Sequence, residues 1–246
     1  MLIYDSHCHL EAIKNDPRQT KIAIPAILPE DIEALFKYRK RNPYAKIGLG
    51  LHPWYANKFI NYSNENFNNY LEQLIVEYQP DFIGECGLDK NKPEFELQQK
   101  LLHIHLELAK KHQKPVVLHS VRATNELLSI LKQYKNLRGI VHAFNGNSET
   151  AKQLLRFGFY LGIGSLILNP ESQLSKSIEK IPLSQIILET DAPYMPPYEV
   201  QYSHPYHSLI YAERITQLKK IALREVISSS NTNWNNLFIR NISVNS

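Results

Sequence analysis

Short apolar runs alternate with longer amphipathic segments along this chain. Between most of the apolar runs, hydrophobic residues recur at helical spacing, so that Phe67, Leu71 and Ile75 fall on one face of a predicted helix. Alternation of this kind predicts a parallel sheet covered by helices. The runs that predict strands are Leu2–Asp5, Lys21–Leu28, Lys46–Leu51, Asp81–Glu85, Pro115–His119, Arg138–His142, Phe159–Ile163 and Ile186–Asp191. Eight repeats in 246 residues favour a closed (β/α)8 TIM barrel over an open sheet.

Composition narrows the class of protein. The chain is 43% hydrophobic and 21% charged, which is typical of a globular protein and excludes disorder. We expect a single domain over residues 1–246, because no low-complexity segment or charge block marks a boundary. There are only 9 glycines and neither GxGxxG nor a P-loop motif, so a glycine-rich phosphate cradle is not expected. The net charge of +4 is too small to indicate nucleic-acid binding and does not exclude it.

The N-terminal residues and the number of cysteines help to predict where in the cell the protein is located. Met-Leu-Ile-Tyr-Asp5 lacks the basic region of a signal peptide, and no apolar run approaches the ~18 residues of a membrane span. Two cysteines, Cys8 and Cys86, do not make a disulfide framework. We therefore expect a cytoplasmic protein with no membrane partner, whose cysteines pack as small apolar residues.

Side chains that can bind metal stand at the ends of the predicted strands. In a TIM barrel, this end of the strands carries the active site. The candidate ligands are His7, His9, Glu85, His119, His142 and Asp191. His7 and His9 are two residues apart in an extended segment, so both point to one side and Cys8 points away. His103 and His105 have the same spacing on a predicted helix, where they lie ~200° apart and cannot share an ion.

Each candidate ligand has another interpretation when taken alone. Two histidines at a strand end can be solvated, a glutamate that closes an apolar strand can pair with lysine, and Asp191 can form an Asx turn before proline. Taken together at one rim, they predict a two-metal site with a bridging carboxylate. We expect Asp191 to accept a proton from the attacking water and Asp5 to orient an imidazole.

The motifs at the strand ends resemble those of a known family. They are, in order, Asp5-Ser-His-Cys-His-Leu10, Gly50-Leu-His-Pro53, Ile83-Gly-Glu-Cys-Gly-Leu-Asp89, Pro115-Val-Val-Leu-His119-Ser120, Val141-His-Ala-Phe144 and Leu188-Glu-Thr-Asp-Ala-Pro193. This set resembles the TatD family of metal-dependent hydrolases, which belongs to the amidohydrolase superfamily of TIM barrels. The resemblance extends from residue 2 to about residue 240.

The resemblance implies a role for each ligand and an activity. One ion would be held by His7, His9, Glu85 and Asp191. Glu85 would bridge it to a second ion held with His119 and His142. His52 of the Gly-x-His-Pro motif would face the substrate phosphate. The best-described activity of the family is a Mg²⁺-dependent DNase, often exonucleolytic, and some members are ascribed deacylation of mischarged tRNA.

Two departures from the family pattern concern substrate binding. The family usually carries an arginine directly after His-Ser, where this chain has Val121 followed by Arg122. Arg122 replaces it only if the chain is already turning, because one step along a strand reverses the side-chain direction. A salt bridge is the other interpretation of Arg122. The family's Arg-Asn-x-Pro loop is replaced by Tyr202-Ser203-His204-Pro205, which leaves His204 or His207 as further phosphate contacts.

Three functions remain open at this stage. The favoured one is a DNase that cleaves phosphodiester bonds with two divalent ions, Mg²⁺, Mn²⁺ or Zn²⁺, through a metal-activated water. Asp191 and Glu85 would be catalytic, and His52 and Arg122 would bind DNA. The alternative is an amide, ester or aminoacyl-tRNA hydrolase that uses the same ions. The third is a non-catalytic subunit of a complex, although no obligate protein partner is inferred.

Overall fold

Seven parallel strands in chain order form the centre of the molecule in a computed structural model, which describes residues 2–13 and 20–239. Each strand pairs in parallel with its neighbours in sequence. The strands in these ranges are β1 (Ala23–Ile24), β2 (Lys46–Leu49), β3 (Phe82–Asp89), β4 (Val116–Val121), β5 (Gly139–Val141), β6 (Phe159–Ile163) and β7 (Ile186–Leu188).

Helices lie between the strands and cover the sheet. They are α1 (Leu10–Ile13), α2 (Ile32–Arg39), α3 (Asn64–Tyr78), α4 (Phe95–Lys111), α5 (Thr124–Leu131), α6 (Ser148–Arg156), α7 (Gln173–Ser177), α8 (Ser208–Lys219) and α9 (Leu223–Phe238). The predicted apolar face of α3 is confirmed, because Phe67, Leu71 and Ile75 are buried. Ser63 starts this helix by accepting a hydrogen bond from the backbone N–H of Asn66. None of the helices in the described ranges is long and apolar enough to cross a bilayer.

The N-terminal segment takes the place of the eighth strand. The prediction of a regular strand at Leu2–Asp5 is wrong, since only isolated bridges form, from Asp5 to Ile22 and from Cys8 to Ala192. The carbonyl oxygen of Asp5 accepts a hydrogen bond from the N–H of Ala23 in β1, and the N–H of Ser6 donates to the carbonyl oxygen of Leu188 in β7. The segment therefore joins the first strand to the last, and the predicted TIM-barrel fold is confirmed.

Several strands differ in length from the prediction. β1 covers two residues of the predicted Lys21–Leu28, because Pro25 has no N–H to continue the ladder. β3 runs on to Asp89, and its register with β4 shifts between Ile83 and Cys86. Such a bulge redirects the side chains beside it, which here include Glu85. β7 ends at Leu188, so Asp191 lies beyond the strand.

The end of the barrel opposite the candidate ligands is closed by α9. Trp234 and Leu237 pack with Ile140 and Ile187 of the strands. Phe238 contacts this cluster and also a second cluster around Phe82. The chemistry is thereby confined to the other end of the strands.

Candidate metal centre

Glu85 stands at the middle of the site, and its two carboxylate oxygens face different histidines. Oε2 lies 3.2 Å from His7 Nε2. Oε1 lies 2.9 Å from His119 Nδ1 and 2.9 Å from His142 Nε2. The carboxylate is 1% exposed at the bulge in β3. An oxygen turned to each side is the arrangement that a carboxylate needs to bridge two ions.

Asp191 joins the N-terminal histidines to the same centre. Its Oδ1 lies 3.1 Å from His9 Nε2 and 3.4 Å from His7 Nε2. The backbone N–H of Asp191 donates to the carbonyl oxygen of His7 at 2.8 Å. The loop after β7 is therefore hydrogen-bonded to the segment that carries His7 and His9. Cys8, between the two histidines, is buried in the hydrophobic core as predicted. The structure thus brings together the six predicted ligands.

His52 also lies within reach of the centre. Its Nε2 is 3.2 Å from Glu85 Oε1, and its Nδ1 accepts a hydrogen bond from the backbone N–H of Trp54. Ligand atoms that lie within 4.8 Å of one another form three overlapping groups: His7, His9 and Glu85; His7, His142 and Asp191; and His52, Glu85 and His119. The geometry therefore places His52 among the possible ligands as well as at the substrate side.

The spacing of these donor atoms fits a bound cation. Two neighbouring ligand atoms on an ion with bonds of ~2.1 Å lie about 3.0–3.4 Å apart in octahedral or tetrahedral geometry. The separations among His7, His9, Glu85 and Asp191 are 3.1–3.4 Å. His7 Nε2 and Glu85 Oε2 are also buried without a hydrogen-bond partner. Because such atoms are costly to bury unpaired, an ion between them would relieve the cost.

Burial and charge together set the protonation of the ligands. Burial alone would lower the pKa of His7, but the Glu85 and Asp191 carboxylates hold that pKa well above its ordinary value. Burial opposes ionisation of Glu85 as well, yet His142 and the other imidazoles hold its pKa well below the usual range. For His142, burial outweighs the attraction of Glu85 and lowers the pKa to about 4. The Glu85 carboxylate thus stays ionised, and the space between it and the imidazoles favours a positive charge.

Three further buried carboxylates support the ligands. Asp5 was expected to orient an imidazole, but its carboxylate is engaged elsewhere. Its oxygens accept hydrogen bonds from the backbone N–H groups of His7 and Thr190 and from the Thr190 hydroxyl. It therefore fixes the backbone around the ligands. Asp89 Oδ2 lies 3.7 Å from His119 Nε2, and Glu189 Oε1 lies 3.8 Å from His142 Nδ1. Both separations are longer than a hydrogen bond, so the two side chains lie behind the rings of His119 and His142 without a direct hydrogen bond to them.

Asp89 and Glu189 were missed as site residues in the sequence. Both belong to quoted motifs, and Glu189 closes an apolar run as Glu85 does. That resemblance to Glu85 is the signal that would have found it. Burial raises the pKa of Glu189 to about 8, and its Oε1 accepts the N–H of Ala143.

The predicted packing histidines lie away from the centre. His105 is fully buried, its Nε2 accepts the backbone N–H of Leu51, and its Nδ1 contacts the Leu101 carbonyl oxygen at 2.7 Å. His103 contacts the Tyr134 hydroxyl. The two side chains therefore have separate partners on and around α4.

A cavity of about 930 Å³ opens above the centre. Its wall includes both Val121 and Arg122. Arg122 follows the end of β4 and has a left-handed backbone, with φ of 51°. The chain therefore turns at this residue, which lets Arg122 reach the cavity wall that Val121 also lines. His204 and His207 do not line the cavity; the N–H of His204 donates to His207 Nδ1 instead.

Comparison with known proteins gives the family. Residues 4–239 match the sequence family described as TatD related DNase. The chain is 34% identical to the uncharacterized metal-dependent hydrolase YjjV of Escherichia coli K12 over 208 residues, which is 78% of this chain and 80% of YjjV. It is 29% identical to the uncharacterized metal-dependent hydrolase BU355 of Buchnera aphidicola, over 97% of this chain and 99% of that one.

A solved structure agrees with the sequence comparisons. The crystal structure of E. coli YjjV, a TatD homologue, superposes with a TM-score of 0.86 and 30% identity, over 97% of this chain and 98% of YjjV. The six predicted ligands therefore stand in a fold shared with metal-dependent hydrolases. This chain belongs to the TatD family of metal-dependent hydrolases.

Proposed function

We propose that this protein is a two-metal phosphodiesterase that degrades DNA from its ends, with residues 1–246 acting as one domain in the cytoplasm. The observation that carries the proposal is the position of Glu85, whose two oxygens face separate sets of histidines beneath an open cavity. Two sets of ligands on one carboxylate suit a pair of ions about 3.5–4 Å apart. The family description supports DNA as the substrate.

The ligand set suits Mg²⁺, Mn²⁺ or Zn²⁺. His7, His9, Glu85 and Asp191 would hold one ion, and Glu85, His119 and His142 would hold the other. When bound, the ions supply a water of lowered pKa and offset the negative charge that develops on the phosphoryl group.

The chain's own residues act on the water and the phosphate. Asp191 is the proton acceptor in this proposal, because it is ionised and stands where the ligand segment meets the cavity. Its pKa lies below the usual range, since the contacts with the His7 and His9 imidazoles outweigh burial. Arg122 and His52 bind the phosphate from the cavity wall. A guanidinium can contact two phosphate oxygens at once.

A second hydrolytic activity is favoured by the composition of the cavity wall. Ile27, Phe144 and Leu166 give it an apolar side, and Val121 stands where the family usually has an arginine. An apolar wall also accommodates the acyl part of an ester, an amide or an aminoacyl-tRNA. The alternative therefore uses the same ions on an ester or amide carbonyl instead of a phosphodiester.

The two activities are separated by a substrate panel. Metal-free protein is reconstituted with Mg²⁺, Mn²⁺ or Zn²⁺ and given single-stranded DNA labelled at either end, then ester, amide and aminoacyl-tRNA substrates. We expect stepwise release of nucleotides, which Glu85→Ala abolishes and the exposed control Glu96→Ala retains. Turnover of the ester or amide panel without nucleotide release would favour the alternative. A metal-free protein that co-purifies with a stable partner would favour a non-catalytic role.

A further inference from the structure

Two exposed aromatic rings border the metal centre on different sides. Trp54 is 49% exposed and Tyr194 is 55% exposed, and both line the cavity. The Trp54 ring stands edge-on to His52 and His119, with centroids 5.2 Å and 6.4 Å away. The Tyr194 ring stands edge-on to His9, with centroids 5.3 Å apart. Each ring therefore neighbours a different part of the ligand set.

Trp54 is held rigidly although half of it is in solvent. Its indole N–H donates to Asp89 Oδ2 at 2.7 Å, and Asp89 is 2% exposed. The other oxygen of Asp89 accepts the N–H of Asn91 at 2.8 Å. Lys92 Nζ lies 4.0 Å from the centre of the ring. Asp89 therefore orients the indole while about half of its surface stays accessible to a ligand.

Tyr194 is fixed by the turn that follows the ligand Asp191. Its backbone N–H donates to the Asp191 carbonyl at 2.8 Å. The ring is thus placed three residues after a metal ligand, and its position depends on the same turn.

We propose that Trp54 and Tyr194 form two stacking subsites that bind the nucleobases on either side of the cleaved phosphate. This inference rests on the proposed phosphodiesterase function and adds how the substrate is recognised. A phosphate at the centre has one nucleoside toward His119 and another toward His9, which are the positions of the two rings. Base–aromatic stacking tolerates any base sequence, because every base has a flat π-face.

The cations around the cavity are consistent with a nucleic-acid strand. Arg122 and Lys58 line the same cavity as the two rings, and Lys92 lies over the ring of Trp54. This combination is the one that single-stranded nucleic-acid sites use. Both bases must leave their neighbours to reach the rings, which a fully paired duplex resists. The subsites therefore favour unpaired ends.

A substrate without bases tests the proposal. Wild-type protein is compared on a single-stranded oligonucleotide and on the same strand with abasic residues on both sides of the terminal phosphodiester. We expect KM to rise about 100-fold on the abasic strand, because both stacking contacts are lost. Trp54→Ala and Tyr194→Ala should each raise KM about 10-fold on the normal strand and by less than about 2-fold on the abasic one. Tyr44→Ala, which removes a ring of similar exposure far from the site, should change neither value.

Fluorescence gives a readout that does not depend on cleavage. The chain has 2 tryptophans, and the other one, Trp234, is 1% exposed. Stacking on Trp54 should quench emission when the normal strand is added, and the quenching should be absent in Trp54→Phe and with the abasic strand. Quenching without nucleotide release at any metal would overturn the proposed function and keep the subsites. Release of nucleotides with equal KM on both strands would overturn the subsites alone.

Discussion

At the scale of single residues, the chemistry depends on which oxygen or nitrogen each side chain presents. Glu85 turns Oε2 to His7 and Oε1 to His119. The convergence of His7 and His9 on one centre could be predicted from the sequence, because they share a face of an extended segment. The contacts of Asp89 and Glu189 could not, since they depend on which ring nitrogen of a distant histidine faces them.

Removal of the bridging carboxylate should release both ions. In Glu85→Ala, we expect less than one equivalent of metal per chain after dialysis against micromolar Mn²⁺, where the wild-type protein keeps two. The measurement is elemental analysis of the dialysed protein, with Glu96→Ala as the surface control. Retention of two ions by the Glu85 variant would show that the carboxylate does not bridge them.

Loss of the proton acceptor should reduce kcat much more than it reduces metal binding. Asn at position 191 keeps an oxygen near His9 but cannot take a proton, so Asp191→Asn should retain part of its metal and lose at least ~100-fold in kcat. Metal content and single-turnover rates are measured on one sample. Turnover close to that of the wild-type protein would remove Asp191 from the proton-transfer role.

His105 should make the stability of the fold depend on pH. Burial lowers its pKa from 6.5 to about 4, so the unfolded chain takes up a proton before the folded one does. The contribution of neutral His105 to the free energy of unfolding is complete above pH 6.5. As the pH falls toward 4, that free energy decreases by about 3 kcal/mol. Urea unfolding should therefore show a smaller loss of stability between pH 7 and pH 4 in His105→Gln than in His103→Gln. Equal losses would contradict this assignment.

At the scale of elements, the alternation of strands and helices could be predicted, but the points where strands end could not. Pro25 limits β1 to two residues, and β3 continues past Glu85 to Asp89. The extra length of β3 comes from its pairing with β4. The hydrophobic pattern of one segment does not indicate how far it pairs with a neighbouring strand. The N-terminal segment closes the barrel through an isolated bridge on each side, and its His7 and His9 are candidate metal ligands.

The pairing of β3 with β4 should be intolerant of a methyl group at Gly87. A Cβ there would lie 2.0 Å from the carbonyl oxygen of the ligand His119, on a backbone with φ of +150°. We expect Gly87→Ala to lower the free energy of unfolding by at least about 2 kcal/mol. Gly164→Ala is the control, because its nearest atom would be 3.5 Å away. Its cost should stay under about 1 kcal/mol in the same denaturant titration, and equal costs would contradict the account.

At the scale of the whole molecule, the two ends of the barrel have separate tasks. The carboxyl ends of the strands carry the ligands and the cavity, whereas α9 fills the opposite end with Trp234 and Phe238. Asp81, at the start of β3, pairs with Arg39 and Lys46 at 2.9 Å each. Stability and chemistry are thus divided between the two ends, as in other barrels of this type.

The most direct test of the account is to titrate Mn²⁺ into metal-free protein while nucleotide release from single-stranded DNA is followed. If the two ions act together across Glu85, activity should rise mainly with the second equivalent and reach its limit at two ions per chain. The electron paramagnetic resonance spectrum should then show two coupled ions. Full activity at one equivalent, or two bound ions with no release of nucleotides, would contradict the account.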